Sequence, residues 1–385
     1  MRSRFLPHLN VHVFVVFLIV SLPILAAGAL LVLGSGQARL RQSYGFQLAE
    51  VAEQAAAAVD SYVFQRILDA SILSQVPDVR AVAAVGNRQA WDADAARRLE
   101  QERTQARKIP PSLATVLTNP ATRFLSDVAR VDPIFRELSV TDQLGRLVAT
   151  SNITAQYLQA SQPWWREAYG DGAHGRVSVS DVSWDDSAQA YLLVIATPVT
   201  EATSEAPVIG VLKVVLDIRE IQTIVSGVRR GTTGQTTLVR DNASIVLSPR
   251  RLDPNARFFA ADLLLERLKT VRQGDPLAKI AFTANAVDGS RQLVAVAPSQ
   301  LGSSYPHLTW LIAVSEAEDE LFAPVRADVW YLLFVLALTA MVTLAFTVYL
   351  SLKLAAPPEE LEMNMHLTRH PPVHLIAEDE VEEST

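Results

Sequence analysis

The chain has 385 residues, 49% of them hydrophobic, a formal net charge of −7 and no cysteine. The acidic balance excludes nucleic acid as the main partner, because phosphate binding needs a basic face. The lack of cysteine excludes disulfides, thiolate catalysis and cysteine metal sites together. A mean hydropathy of +0.18 is high for a soluble protein and low for a polytopic transporter, so the apolar residues must be gathered in a few segments.

The first such segment opens the chain. No Asp, Glu, Lys or Arg lies between Arg4 and Arg39, and Val11 to Leu33 is almost continuously apolar. About 20 apolar residues cross the hydrocarbon core of a bilayer, and Pro23 and Gly28 are tolerated inside such a helix. The alternative is a cleaved signal peptide with Ala26, Ala27 and Ala29 near its cleavage site. A signal h-region is only about 7–15 residues long, so the run predicts a retained transmembrane helix over 11–34, after a short N-terminal segment over 1–10.

A long helix follows. Tyr44, Leu48, Val51, Ala55, Val59 and Tyr62 recur at steps of three and four, one face of an amphipathic helix. Pro77 marks its end or lies just beyond it. The charged, Ala-rich stretch from Asn87 to Arg107 predicts a second, more exposed helix that Pro110 and Pro111 break. Residues 35–130 thus form a helical region.

From about 136 the period changes to short β-branched and apolar runs separated by turn residues. Strands are predicted near 136–142, 145–151, 175–182, 190–199 and 208–217, and again near 235–240, 244–248, 279–285, 291–297 and 309–315. Each set opens with a hairpin, LSVTDQLGRLVATS or TTLVRDNASIVLSP, in which Asp142 or Asp241 starts the turn. Each then carries an insertion followed by two apolar strands. This is an internal repeat of roughly 100 residues, each copy an antiparallel sheet with helices on it. The fold class is α+β, with modules over 131–220 and 221–327.

Between Asp328 and Lys353 there is again no charge, and Val329 to Leu352 is rich in Leu, Ala, Val and Phe. Trp330, Tyr331 and Tyr349 sit near the ends, where aromatic belts form. The length argues against a buried core helix and predicts a second transmembrane helix over 328–353. Basic residues flank both spans on both sides, so charge bias does not orient the chain. The tail over 354–385 is acidic and Pro-punctuated, too polar to build a core, and is expected to be disordered.

In this order and between two spans, several stretches resemble the double Cache family of bacterial membrane-anchored extracytoplasmic sensors. They are TDQLGRLVATS, QPWWREAYGDGAHGRVSVSDV, LLVIATPV, VIGVLKVVLDI and TTLVRDNASIVLSP, and the resemblance covers about 40–320. It implies two PAS-like modules on a long helix, a ligand in the membrane-distal module over 131–220, a membrane-proximal module over 221–327, and cytoplasmic termini. In the family's amino-acid-binding motif, Tyr157, Trp164 and Asp217 stand at matching positions. Gln162 replaces an Arg, Trp165 replaces a Tyr, and Asp185 falls near another acidic position. Gln cannot supply the charge-assisted contact that Arg makes with a carboxylate, which turns the expectation away from an α-amino acid.

Aromatic faces at Trp164 and Trp165 with carboxylates at Asp185 and Asp217 suit an ammonium group, so an amine-bearing small molecule is the favoured ligand. The structural alternatives are that the tryptophans pack their helix onto the sheet and that Asp217 caps a helix starting near Arg219. No cofactor, metal site or catalytic group is expected. His366, His370 and His374 are spaced for a metal on a helix, but Pro371 and Pro372 interrupt it. The sequons at Asn152 and Asn242 fall in strands or turns, and GTTGQT lacks a P-loop lysine. Only His174 and His307 lie between the spans, few candidates for a His-dependent hydrolase.

The functional expectation is a two-pass inner-membrane receptor with a periplasmic sensing region. It would have no output domain of its own and would signal through a separate kinase, cyclase or chemoreceptor output protein, or by repacking a homodimer. Two alternatives are a structural protein that binds an envelope component or protein partner, and a truncated receptor.

Overall fold

A computed structural model describes residues 11–90, 92, 94, 97–98, 100, 114–152, 156–185, 190–201, 206–248, 256–272 and 280–354. The chain divides into two units, Leu40–Ala323 and, separately, Met1–Arg39 with Pro324–Thr385.

In the larger unit the organising element is helix α1 (Val11–Ser74), whose part beyond Leu40 belongs here. Leu48, Ala52, Ala55, Val59, Val63, Ile67 and Ala70 are buried at steps of three and four, and Tyr44, Val51 and Tyr62 pack beside them. The face read from the sequence is therefore the buried face. Alanines and branched aliphatic residues share that face, as an amphipathic helix requires. Pro77 does more than follow the helix end. It opens α2 (Pro77–Arg88), where its missing N–H costs nothing and its fixed φ suits the first turn. Helices α3 (Ala114–Thr118) and α4 (Pro120–Val131) come next, and the Asn119 side chain accepts the Thr122 N–H at 2.8 Å as an N-cap. Most of the helix expected over 87–107, with Pro110 and Pro111, lies outside the described residues.

The first sheet holds β1 (Phe135–Asp142), β2 (Leu147–Thr150), β3 (Ser178–Val179), β4 (Ser183–Asp185), β5 (Ala190–Thr200) and β6 (Val208–Asp217). Its order is β2-β1-β6-β5-β3, with β4 also on β5. Helix α5 (Pro163–Tyr169) lies in the β2–β3 connection, and α6 (Arg219–Gly227) leads out of the sheet. The second sheet holds β7 (Gln235–Arg240), β8 (Ile245–Leu247), β9 (Ile280–Asn285), β10 (Arg291–Pro298) and β11 (Trp310–Ala317), in the order β8-β7-β11-β10-β9. Helix α7 (Ala261–Arg272) precedes β9, and α8 (Leu301–Ser304) joins β10 to β11. Helix α9 (Glu318–Leu321) follows β11 at once, and α10 (Ala323–Leu354) follows α9.

The two sheets share one antiparallel topology: an opening hairpin, with the last strand inserted beside the first. The repeat extends to a bulge between Val140 and Thr141 in β1 and between Leu238 and Val239 in β7. In the first hairpin the Asp142 carboxylate accepts from the N–H groups of Leu144 and Arg146, both at 2.9 Å. Gly145 supplies the positive φ of 73° that the turn needs.

One face of each sheet packs on α1 in a continuous core that includes Leu138, Ile195 and Leu212 of the first sheet and Leu238, Trp310 and Ile312 of the second. The opposite face of the first sheet lies under α5, with Trp165, Ala168, Ala196 and Val211 in contact. The opposite face of the second lies under the segment from Phe258 through α7, with Leu264, Val294 and Leu311. Among the described residues no helix is long and apolar enough to cross a membrane. Both apolar runs of the sequence fall on helices, α1 and α10, many of whose side chains lie outside that description.

Candidate functional site

Helix α5 is the local cause of the site. Pro163 stands in its first turn, Gln162 precedes it, and Gly170 at a φ of 62° stops it. Seven residues allow two adjacent tryptophans to face different surroundings. Trp165 is 7% exposed, stacks on Tyr169 with centroids 4.7 Å apart, and donates its indole N–H to the Thr141 hydroxyl at 2.8 Å. It is an anchor that holds α5 to β1. Trp164 is half-buried and packs at the edge of the same cluster.

Beneath Trp164 the sheet carries charge. Glu137, Ser139 and Thr141 alternate along one face of β1. Lys213 on β6 is the direct cross-strand partner of Ser139. Its ammonium donates to the Glu137 carboxylate at 3.1 Å, the Ser139 hydroxyl donates to the same oxygen at 3.1 Å, and the ammonium lies 5.5 Å from the Trp164 ring centroid. Both members of the ion pair are largely buried. Two charges taken out of water are tolerated only when each has its partner. The cation–π position on this ring is thus taken by the protein's own lysine.

Trp164 also walls a cleft of about 910 Å³ together with Arg166, Glu167, Arg176, Asp181 and His307. Glu167 organises that wall: its carboxylate accepts from Arg176 and from the Ser178 hydroxyl, both at 2.7 Å, and His307 approaches to 3.6 Å. His307 comes from the connection between α8 and β11, so the cleft is closed on one side by the second sheet's loop.

Of the six residues named from the sequence, Gln162, Trp164 and Trp165 share α5. Gln162 donates through its side-chain amide to Gln156 at 3.0 Å. Tyr157 packs with Val116, Leu117 and Leu147, a different cluster from that of the tryptophans, and burial pushes its phenol pKa up despite the nearby Arg146. Asp185 ends β4 opposite Ala190. Asp217 is 4% exposed and its carboxylate is engaged. It accepts from the Arg136 guanidinium, from the Arg219 backbone N–H at 2.9 Å and from the Arg219 side chain at 3.0 Å. It lines a separate cleft of about 600 Å³ against α1, with Tyr62, Arg66 and Asp132. Its bond to the Arg219 N–H reaches the first residue of α6, whose N-cap is Ile218.

Sequence reasoning missed Glu137 and Lys213. For Lys213 the signal was there, a charged residue at one position of the otherwise apolar GVLKVV, whereas Glu137 stands in the more polar FRELSV. The histidines at 366, 370 and 374 lie outside the described residues, and the described residues contain no cluster suited to a metal ion.

No family model matches the chain, and neither does any curated protein. Solved structures are similar to it, among them the ligand-binding domain of the Pseudomonas aeruginosa amino-acid chemoreceptor PctC in complex with GABA. That match has 17% identity and a TM-score of 0.44, and covers 71% of this chain and 99% of the other. The sensory domain of the Campylobacter jejuni chemoreceptor Tlp3 matches at 14% identity and a TM-score of 0.46, covering 74% and 97%. The sensor domain of the Vibrio cholerae histidine kinase DctB matches at 13% identity and a TM-score of 0.44, covering 72% and 98%. These neighbours are sensor domains of the double Cache type.

Proposed function

We propose that the chain is a membrane-bound extracytoplasmic sensor of a small molecule. The first module, over 131–220, is its membrane-distal ligand-binding domain, and the second, over 221–327, is its membrane-proximal one. Transmembrane helices run over 11–34 and 328–353 in the inner membrane, with the termini in the cytoplasm. A separate kinase, cyclase or chemoreceptor output protein reads the signal. The protein binds its ligand and does no chemistry on it.

The observation that carries this reading is the buried Lys213–Glu137 pair on the sheet face beneath Trp164. Replacing a buried ion pair by apolar residues is often neutral or stabilising, so packing alone gives little reason to keep one there. A ligand that brings an amine to Glu137 and an anionic group to Lys213 can exchange partners with the pair without stranding either charge. A ligand with one charge leaves the other buried and unpaired. An amine-bearing small molecule that also carries an acidic group is therefore the favoured class.

The test is a thermal-shift screen of the full-length chain in detergent against amine-bearing metabolites, repeated with Glu137→Gln and Lys213→Met. A stabilising compound whose effect disappears in both variants supports the reading. A panel without a single hit, or a hit indifferent to both substitutions, sinks it. Reporter fusions at Gly234 and Thr385 test the topology, which requires the two to lie on opposite sides of the membrane.

A further inference from the structure

We infer that the second module carries its own ligand site, built for an uncharged polyhydroxylated molecule such as a sugar or cyclitol. The inference rests on residues and a cleft of its own, and draws on the first module only for a comparison of register between the repeats.

The site is a cleft of about 640 Å³ on the second sheet, within the size range of small-molecule pockets. Gln235 of β7, Gln292 of β10 and Ser315 of β11 form its floor. These residues continue, at steps of two, the face whose other end, with Val239, Val294 and Ala313, is buried under α7. The sheet face is thus apolar where a helix covers it and lined by amides and hydroxyls where it opens. Phe259 adds an aromatic wall.

The repeat gives this cleft a second, independent warrant. The bulges in β1 and β7 align Val140 with Leu238. Three residues earlier in each strand stand Glu137 and Gln235. Glu137 lies opposite Val215 on the inserted strand, and Gln235 lies opposite Ser315. The polar floor of the second cleft therefore occupies the register position at which the first module places its buried carboxylate. The chemistry has changed in one direction only. The carboxylate becomes an amide, and Ala313 stands where the first module has Lys213.

That change selects the ligand. Among the described residues the lining contains no Lys, Arg or His to meet an anion. The ionisable group among these described residues, Asp288, is exposed and accepts from the Ser290 N–H at 2.9 Å and the Ser290 hydroxyl at 2.6 Å. Amides and hydroxyls each donate and accept, which suits vicinal hydroxyl groups, and the Phe259 ring suits the C–H face of a pyranose or cyclitol. The lining also includes Thr232 and Thr233, which hold the Glu320 carboxylate through both backbone N–H groups and both hydroxyls. Glu320 lies on α9, directly ahead of α10. A ligand that touches these threonines is in direct contact with the residues that hold α9.

Sugars stabilise proteins generally by exclusion from the surface, so thermal shift cannot read this site. Saturation-transfer NMR on the full-length chain in detergent can, with D-glucose, maltose and myo-inositol as probes. At least one probe is expected to give a saturable signal that weakens by about tenfold or more in Gln235→Ala and in the cleft-filling variant Ser315→Leu, and that stays unchanged in Glu137→Gln. Folding of each variant is checked by its unfolding transition, and Gln235→Ala serves alone where Ser315→Leu fails to fold. The inference is overturned by the absence of signal from all three probes. It is equally overturned by a signal that survives Gln235→Ala, or by one that Glu137→Gln abolishes.

Discussion

The indole N–H of Trp310, on the second sheet, donates a hydrogen bond of 2.8 Å to the carboxylate of Asp181, in the β3–β4 connection of the first. Trp310 is 1% exposed, and the Arg240 guanidinium pairs with the other oxygen of the same carboxylate. One aspartate thus joins two strands of one sheet to a loop of the other. Asp181 also lines the cleft beside Trp164, so the joint and the candidate ligand wall share a residue.

Asp181→Ala leaves a buried indole N–H and a largely buried guanidinium without their acceptor. A stranded buried donor costs about 1–3 kcal/mol, so a loss of stability in that range is expected in denaturant unfolding. Asp181→Asn keeps an acceptor and should recover part of it. Equal stability of the alanine variant and the parent would show that the joint contributes nothing.

Tyr62 poses the opposite case. Its hydroxyl is buried and has no hydrogen-bond partner among the described residues, and burial pushes its pKa up to about 12, the nearby Arg66 opposing. Tyr62→Phe removes a polar atom that has no partner and keeps the ring, so stability should be unchanged or rise by up to about 1 kcal/mol. A marked loss of stability would mean that the hydroxyl has a partner in solution.

For Asp217, burial raises the carboxyl pKa, but hydrogen bonds from Arg136 and from the Arg219 backbone, with the charges of both arginines, outweigh it and hold the group below its ordinary value. A depressed native pKa stabilises the fold above the unfolded value of about 3.9 and loses that contribution as pH falls through the native one. The stability advantage of the parent over Asp217→Asn should therefore be full at neutral pH and shrink below about pH 4. Chemical denaturation at a series of pH values measures it, and an advantage that does not vary with pH would contradict the assigned pairing.

Glu320 follows the same sign. The Thr233 hydroxyl, then the backbone N–H groups of Thr232 and Thr233, hold its pKa at about 2. Its contribution should persist well below the unfolded value of about 4.3. In Glu320→Ala the amides of Thr232 and Thr233 should exchange with solvent markedly faster, as read by hydrogen–deuterium exchange of the 228–234 segment. Unchanged protection there would show that the turn is held by other contacts.

Much of the architecture could be read from local pattern. Short apolar and β-branched runs such as YLLVIATPV became β5, and the TDQLGR and RDNAS turns became the hairpins, because turn chemistry and strand propensity are local properties of the chain. The apolar stripe from Tyr44 to Tyr62 marked the buried side of α1 for the same reason: helical spacing alone decides which residues share a face.

Neighbours far apart in sequence were decided only by the fold. Asp217 was named from the sequence as a ligand contact or a helix cap, and the fold adds Arg136, 81 positions away, to its carboxylate because β6 inserts beside β1. The same insertion brings Lys213 to Glu137 across 76 residues, and the meeting of the β3–β4 loop with the second sheet brings Trp310 to Asp181 across 129. Strand periodicity tells each residue which way to face but not which strand will lie alongside. That pairing is a cooperative property of the whole core, and it settles which charges are already neutralised and which are left to recognise something else.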